Sequence, residues 1–90
     1  MEDADILWDD PQDPDGNVQH IRRHGISTDE VESVLRNPDN PTEESRTSGS
    51  PITFGWTHTN RHIAVVWEDY GDNPQIMYPV TAYEVPPPQE

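Results

Sequence analysis

The fold of this chain is decided by residues 19–35, which read QHIRRHGISTDEVESVL. In this stretch Ser27 is followed three residues later by Glu30, the capping-box pattern in which each side chain bonds the backbone N–H of the other residue. Ile26 before the cap and Val31 after it have the spacing of a hydrophobic staple, which fixes how the chain enters a helix. The pattern predicts a helix that begins after Ser27 and buries a stripe made of Val31, Val34 and Leu35.

Another helix is predicted directly before this one. Gly25 is the residue type that most readily takes the left-handed conformation that ends a helix, and Ile21 and Ile26 have the spacing that such an ending brings into contact. Asp13 and Pro14 are typical of a helix start, because aspartate caps the first turn and proline needs no N–H at the first helical position. We therefore expect two short helices joined by a tight corner, the first beginning near Asp13.

The strongest strand pattern lies in residues 51–70, PITFGWTHTNRHIAVVWEDY. A two-residue turn at Thr59-Asn60 would join two strands and place His58 opposite Arg61. In this register three apolar cross-strand pairs share one face, namely Trp56/Ile63, Phe54/Val65 and Ile52/Trp67. The other face would carry the pairs Thr57/His62, Gly55/Ala64 and Thr53/Val66. The apolar face is expected to form the core, which would include Trp8, Trp56 and Trp67, although Trp8 could instead be a stacking platform.

The last strand is predicted over residues 75–83, where alternation divides the side chains between two faces. One face would carry Ile76, Tyr78, Val80 and Ala82, and the other Gln75, Met77, Thr81 and Tyr83. Pro79 in the middle indicates an edge position or a bulge, because proline cannot donate to the hydrogen-bond ladder.

Two weaker strand patterns complete the chain, one over Asp5–Trp8 and a short one over Glu43–Thr47. The order β-α-α-β-β-β-β predicts an α+β fold, with two short helices packed on one face of an antiparallel sheet and the second face left more open. We expect a single domain over residues 1–83 and an extended proline-rich tail over residues 84–90.

Composition narrows the classes of partner. Eighteen acidic residues and five arginines, with no lysine, give a net charge of −13. Such a surface repels phosphate backbones, so RNA is a doubtful ligand and a basic protein is a better one. The same charge would also simply keep a small domain soluble.

There is no cysteine, which excludes disulfides and thiolate–metal sites. The longest apolar run, IAVV, is far too short to span a membrane, and we expect a cytoplasmic protein without membrane contact.

Three segments carry a resemblance to a known family. They are ILWD at 6–9, HIRRHGISTDEVESVL at 20–35 followed by NPDN, and RHIAVVW at 61–67. Together they resemble the BrnT-like toxins of bacterial type II toxin–antitoxin systems, in the RelE/ParE superfamily, roughly from Ile6 to Val80. The resemblance implies a small endoribonuclease that carries basic and histidine side chains on its open sheet face and is neutralised by an antitoxin encoded beside it.

The chain departs from this family in two ways. Such toxins usually end in a basic helix, whereas the matching place here reads VTAYEVPPPQE. The toxins are also basic, whereas this chain carries −13. Both departures remove groups that hold RNA, so they weaken the implied ribonuclease and leave the implied fold intact.

Four residues are candidates for ribonuclease chemistry, which needs a general base, a general acid and a cation for the charge of the transition state. His62 could be the acid or base, Arg61 or Arg46 could supply the charge, and Tyr83 could donate a proton or stack on a base. Strand alternation places His62 and Tyr83 together on the open face. The plainer alternative is that His62 is an idle cross-strand neighbour of Thr57.

A metal site is the remaining candidate, because His20 and His24 are four residues apart on the first helix. The zincin pattern needs a glutamate after the first histidine, where this chain has Ile21, and no third ligand is evident. We therefore predict no metal and no cofactor. His24 fits better as part of the helix end. Arg22 and Arg23 would be phosphate contacts in a toxin, but they also suit the negative end of the helix dipole, which we favour.

Three functions remain open from the sequence. The first is a BrnT-type ribonuclease toxin whose RNA cleavage is weakened or lost. The second is a non-catalytic protein-interaction module on the same scaffold, with an antitoxin-like or other basic protein as partner. The third is an acidic mimic of nucleic acid that occupies the DNA site of a basic protein.

Overall fold

The computed structural model describes residues 5–45, 49–72 and 74–87, and over these residues it contains two helices and one five-stranded sheet. The elements in chain order are β1 (Asp5–Ile6), α1 (Asn17–Arg23), α2 (Thr28–Leu35), β2 (Thr42–Glu44), β3 (Pro51–Trp56), β4 (His62–Asp72) and β5 (Gln75–Glu84). The predicted α+β class is confirmed. No helix in the described ranges has the length and apolar character needed to cross a membrane.

The sheet is mixed, so the prediction of a fully antiparallel sheet is wrong. Its spatial order is β1-β5-β4-β3-β2, in which β2 to β5 are antiparallel neighbours. β1 instead runs parallel to β5, with Asp5 beside Ile76 and Ile6 beside Met77. Between β1 and β2 the two helices carry the chain from one edge of the sheet to the other.

The corner between the helices has the predicted caps. Gly25 has a φ of 76°. Its N–H donates to Arg22 O at 2.9 Å, and the N–H of Ile26 donates to Ile21 O at 3.2 Å, which is the paired bonding of a Schellman ending. Both halves of the capping box of α2 are present, since Ser27 N donates to Glu30 Oε1 at 3.0 Å and Glu30 N to Ser27 Oγ at 3.1 Å.

The first helix begins later than predicted. Asp13 and Pro14 lie in a turn, in which Asp13 O accepts the N–H of Gly16 at 3.0 Å, and the extended conformation of Gly16 (φ −84°, ψ 167°) separates this turn from the helix. The helix starts at Asn17, which Asp9 fixes through two reciprocal bonds. Asp9 N donates to Asn17 Oδ1 at 2.8 Å and Asn17 N donates to Asp9 Oδ2 at 2.9 Å.

The β3–β4 register differs by one residue from the prediction. Trp56 pairs with His62 and Phe54 with Ala64, instead of with Ile63 and Val65. The reason is a three-residue loop rather than a two-residue turn: Thr57 N donates to Arg61 O at 2.7 Å, and Asn60 takes a left-handed φ of 68°. The slip moves the larger side chains of β3 to the opposite face.

Small residues of β3 therefore face the helices. Trp67 Nε1 donates to the hydroxyl of buried Thr53 at 2.9 Å, which satisfies both groups in the core. Gly55 leaves room for Asn40, whose amide donates to Val34 O at 2.8 Å and would collide with a β-carbon at Gly55. The absence of a side chain here lets α2 and the chain after it pack closely on the sheet.

The last strand contains the bulge that Pro79 indicated. Pro79 pairs with Trp67 and Thr81 with Val66, so Val80 is an extra residue. Before the bulge the predicted faces are reversed, with Met77 in the core and Tyr78 outside it; after the bulge Ala82 is buried as predicted.

The core lies between the helices and one face of the sheet. It consists of Ile21, Ile26, Val31, Val34, Leu35, Ile63, Val65, Trp67, Met77 and Ala82, with Ile6 and Trp8 packed against it. The placement of Trp67 is confirmed, whereas Trp56 is 50% exposed and its predicted place in the core is wrong. We call the sheet surface away from the helices the open face; it carries Ile52, Phe54, Trp56, His62, Ala64, Val66, Thr81 and Tyr83.

Candidate functional site

The open face is aromatic at the end near the β3–β4 loop. Trp56 and Tyr83 are 50% and 37% exposed, and Phe54 is partly buried. The ring of His62 lies tilted against that of Trp56, with 5.1 Å between their centroids and 56° between their planes. The His62 Nδ1 is buried and has no hydrogen-bond partner in the described part of the chain. The arrangement exposes a large apolar surface and keeps one ring nitrogen of His62 from solvent.

A groove of about 420 Å³ crosses this end of the open face. Trp56, Phe54 and His62 supply its aromatic surface, and Glu43 supplies a carboxylate. The rest of the lining consists of Asn40, Pro41, Gly55, Val85 and Pro86. The start of β4 and the segment after β5 are held together here, because Val85 N donates to His62 O at 3.0 Å.

Arg61, a candidate catalytic residue, points to the other side of the sheet. Its Nη1 donates to Gly25 O at 2.7 Å and lies 3.3 Å from both carboxylate oxygens of Glu30. Its Nη2 lies 3.2 Å from Glu84 Oε1. His62 is the next residue in the strand and points to the open face, so the two side chains diverge. The guanidinium therefore joins the hairpin to the helix corner.

The charges of this cluster stabilise each other. Burial alone would raise the pKa of Glu30, but hydrogen bonds from Thr59 and from the Ser27 backbone, with the Arg61 charge, hold it below its ordinary value of 4.5. The hydrogen bond to Glu84 raises the pKa of Arg61, against a smaller opposing effect of burial. Glu30 is 5% exposed. A buried carboxylate with this set of partners is a structural group.

Of the four candidate residues, the structure brings only His62 and Tyr83 to one surface. Tyr83 pairs with Ala64, so it is a diagonal neighbour of His62 on the open face. Arg46 lies outside the described residues. His58 lies at the hairpin tip and is not opposite Arg61, because the three-residue loop pairs Thr57 with Arg61 instead.

The helix histidines form a pair without further ligands. The rings of His20 and His24 meet edge to face with 5.6 Å between centroids. Among the residues of 5–45, 49–72 and 74–87, no group of three metal-ligating side chains comes together. A cavity of about 590 Å³, larger than the groove on the open face, lies beside α1 and the start of α2. Its lining includes Trp8, Val18, Arg22 and Ile26.

The aromatic groove was missed from the sequence, because the predicted register placed Phe54 and Trp56 in the core. The signal that could have revealed it is Asn60, since asparagine tolerates the left-handed position that a three-residue hairpin loop requires. The sequence predicts Glu43 only as part of a short strand, and its place in the groove depends on the same register, through its pairing with Ile52.

Fold and surface together define a small α+β domain with helices on one face of its sheet and an exposed aromatic surface on the other. Residues 18–84 match the family described as "Domain of unknown function (DUF4258)", and this protein belongs to that family. The match includes β2 to β5 and all of the helical region except the first residue of α1, and it leaves β1 outside. No curated protein matches the chain at a significant level.

Proposed function

We propose that this protein is a BrnT/RelE-like toxin-fold protein in which RNA cleavage is weakened or lost and whose open face binds a protein partner. The observation that carries the proposal is the position of Arg61. Its guanidinium contacts Gly25, Glu30 and Glu84 on the helix side of the hairpin, so it is not directed at a phosphate beside His62. A ribonuclease site would need a cation at that place to stabilise the transition state.

The other cations that are described also lie away from the open face. Arg22 and Arg23 belong to α1, where Arg23 Nη2 donates to Pro14 O at 2.7 Å. Arg36 caps α2 and pairs with Glu32 at 3.4 Å. Each phosphate contact in a protein–RNA complex adds to affinity through the release of counterions. With a net charge of −13 and these positions for its described arginines, the chain gains little affinity from binding RNA.

Exposed aromatic side chains support protein binding instead. Tryptophan and tyrosine dominate the energetics of protein interfaces because they bury a large apolar area at a small cost in side-chain entropy. Trp56, Tyr83 and the bulged Val80 are exposed on this protein, at 50%, 37% and 36%. Acidic side chains around such a surface favour a basic partner.

Activity is tested first by expressing the wild type in a bacterial host and following growth and RNA integrity. We expect neither growth arrest nor RNA cleavage. The matched pair of variants is His62→Ala and His58→Ala, because both histidines belong to the same hairpin and only His62 faces the groove. Arrest by the wild type that persists in His58→Ala and disappears in His62→Ala would overturn the proposal.

Such a result would establish the second candidate, a ribonuclease toxin. One observation favours this candidate: His62 and Tyr83 are neighbours on the open face, where they could act as acid and base. Arg61→Ala is not a clean test of this candidate, because it removes the partner of the buried Glu30.

Binding is tested by co-expression with the product of the neighbouring gene and size-exclusion chromatography. Trp56→Thr should abolish co-elution, because it removes the half-exposed indole that lines the groove of the open face. His20→Ala is the control, since it removes an exposed ring from the helix side. Equal co-elution of both variants would place the interface elsewhere.

A further inference from the structure

We propose that the groove between Trp56 and Glu43 binds an arginine side chain of the protein partner. The inference rests on the proposed protein binding and names the group that the groove recognises. The groove, of about 420 Å³, combines an exposed indole with a carboxylate and has walls of proline and valine. That combination suits a guanidinium, which is planar, stacks on aromatic faces and donates two parallel N–H groups to a carboxylate.

The aromatic side of the groove is preformed. Trp56 is held by its tilted contact with the His62 ring, with 5.1 Å between ring centroids, while half of its surface faces solvent. Phe54 lies two residues before it in the same strand, so both rings point to the same face. An arginine that lies across the indole would cover apolar surface that is now exposed. The N–H groups at the edge of its guanidinium would stay free to donate to the Glu43 carboxylate.

The acidic side of the groove has an unused carboxylate. Glu43 is exposed, and within the described residues its side chain makes no hydrogen bond or ion pair. The acids near Arg61 differ, because Glu30 and Glu84 already share its guanidinium. No arginine in the described ranges lines the groove. A cation from a partner would therefore meet a carboxylate that is free to receive it, on a chain with a net charge of −13.

The chemistry favours arginine over lysine. A guanidinium loses less hydration than an ammonium when it leaves water, and its flat shape matches both the indole and the carboxylate. Lysine would offer the charge alone. A peptide with arginine should therefore bind more tightly than the same peptide with lysine if the groove recognises a guanidinium, and equally tightly if the acidic surface attracts any cation.

The experiment titrates three blocked pentapeptides into the ¹⁵N-labelled full chain. They differ only at the central residue, which is arginine, lysine or its neutral analogue citrulline. The three tryptophan indole N–H signals report directly, because Trp8 and Trp67 donate to Glu32 and Thr53 inside the protein and Trp56 does not. We expect the arginine peptide to shift the Trp56 signal and leave the other two in place. Citrulline should bind about tenfold more weakly or not at all, since it lacks the charge.

Two matched variants test the carboxylate. Glu43→Gln removes the charge in the groove, and Glu44→Gln makes the same change one residue along β2, where the side chain points to the other face. Glu43→Gln should weaken the arginine peptide about three- to tenfold, and Glu44→Gln should change its affinity by less than about twofold. The Trp67 signal checks that each variant is folded.

Equal affinity for arginine and citrulline, or for arginine and lysine, would overturn the proposal, and so would equal effects of the two glutamine variants. These outcomes remain distinct from failure of the proposed function. If co-elution with the partner depends on Trp56 while the arginine peptide does not bind, the open face is an interface and only the arginine assignment is wrong.

Discussion

The Nη1 atom of Arg61 lies 3.3 Å from each carboxylate oxygen of Glu30, a residue that is 5% exposed. The same Nη1 donates to Gly25 O at 2.7 Å, and the Thr59 hydroxyl donates to the Glu30 carboxylate. The pair therefore ties the tip of the β3–β4 hairpin to the corner between the helices. In the resemblance to BrnT-like toxins Arg61 was a candidate for RNA chemistry, whereas its contacts here are those of a structural residue.

Glu30→Gln should destabilise the protein by about 2 kcal/mol at pH 7, because hydrogen bonds to a charged group are worth more than neutral ones and Arg61 would lose its buried partner. Urea unfolding at pH 7 measures the loss. The folded pKa of Glu30 lies below the ordinary value of 4.5, so its charge stabilises the fold above pH 4.5. That contribution disappears as the pH falls through the folded pKa.

The difference between wild type and Glu30→Gln should accordingly shrink as the pH is lowered below 4.5. Glu43→Gln is the control, since Glu43 is exposed and makes no hydrogen bond among the described residues, and its effect should stay within about 0.5 kcal/mol. A Glu30→Gln variant as stable as the wild type at pH 7 would show that the pair contributes nothing.

Gly25→Ala should destabilise the protein by about 1 kcal/mol, because Gly25 has a φ of 76° and a β-carbon is strained in that conformation. The space around Gly25 is open, since a β-carbon there would lie 3.9 Å from the nearest side-chain atom, Arg61 Nη2, so the cost is one of backbone strain alone. Thermal unfolding measures it. Gly71→Ala is the control, since its β-carbon would meet only ordinary contacts of 3.7 Å or more; equal melting temperatures of both variants would exclude the strain.

The helix caps could be predicted from the sequence because they depend on residues within a few positions of each other. The side chains of Ser27 and Glu30 themselves make the capping hydrogen bonds, and Gly25 takes the left-handed conformation because it has no side chain. The sheet register could not be predicted in the same way. It depended on whether the hairpin loop has two residues or three, and Asn60 in the left-handed region decides for three.

The face of the sheet on which His62 lies could be predicted from β4 alone, without the register of the β3–β4 hairpin. Ile63, Val65 and Trp67 alternate with His62, and burial of the three apolar side chains places His62 on the open face in either register. The aromatic groove depends on β3, where the register was wrong. The absence of a side chain at Gly55 is explained only by Asn40, which packs against it. This contact joins residues that are distant in the sequence, so the local pattern does not reveal it.

The register itself is open to test by NMR. Trp56 faces His62 and Phe54 faces Ala64 in pairs that do not exchange backbone hydrogen bonds, because the bonded pair is Thr57 with Arg61. Such pairs bring α-carbons to about 4.5 Å, so strong Hα–Hα cross-peaks are expected for both. Strong Hα–Hα cross-peaks between Thr57 and His62 and between Gly55 and Ala64 instead would restore the two-residue turn and remove the groove.

Tyr78 provides the last test, because its hydroxyl donates to Asp9 Oδ2 at 2.6 Å and Asp9 also receives the N–H of Asn17 at 2.9 Å. The bond joins β5 to the start of α1. Tyr78→Phe removes it while keeping the ring that stacks on Tyr70, with 5.4 Å between centroids. We expect a loss of about 1.5 kcal/mol at pH 7, measured by urea unfolding. Tyr83→Phe is the control, because that hydroxyl has no hydrogen bond among the described residues, and it should change stability by less than about 0.5 kcal/mol.

The pH dependence of this difference has two limits. The hydrogen bond from Tyr78 lowers the pKa of Asp9 below 3.8, so the contribution is lost as the pH falls through that lower value. The bond to Asp9, with burial, raises the pKa of Tyr78 from 10.0 to about 12, so the contribution is complete below pH 10.0 and is lost as the pH rises through about 12. The gap between wild type and Tyr78→Phe should therefore be constant from about pH 4 to pH 10 and narrow on both sides. A gap that is absent at pH 7, or that matches the gap of Tyr83→Phe, would mean that the Asp9 bond does not hold the helix start to the sheet.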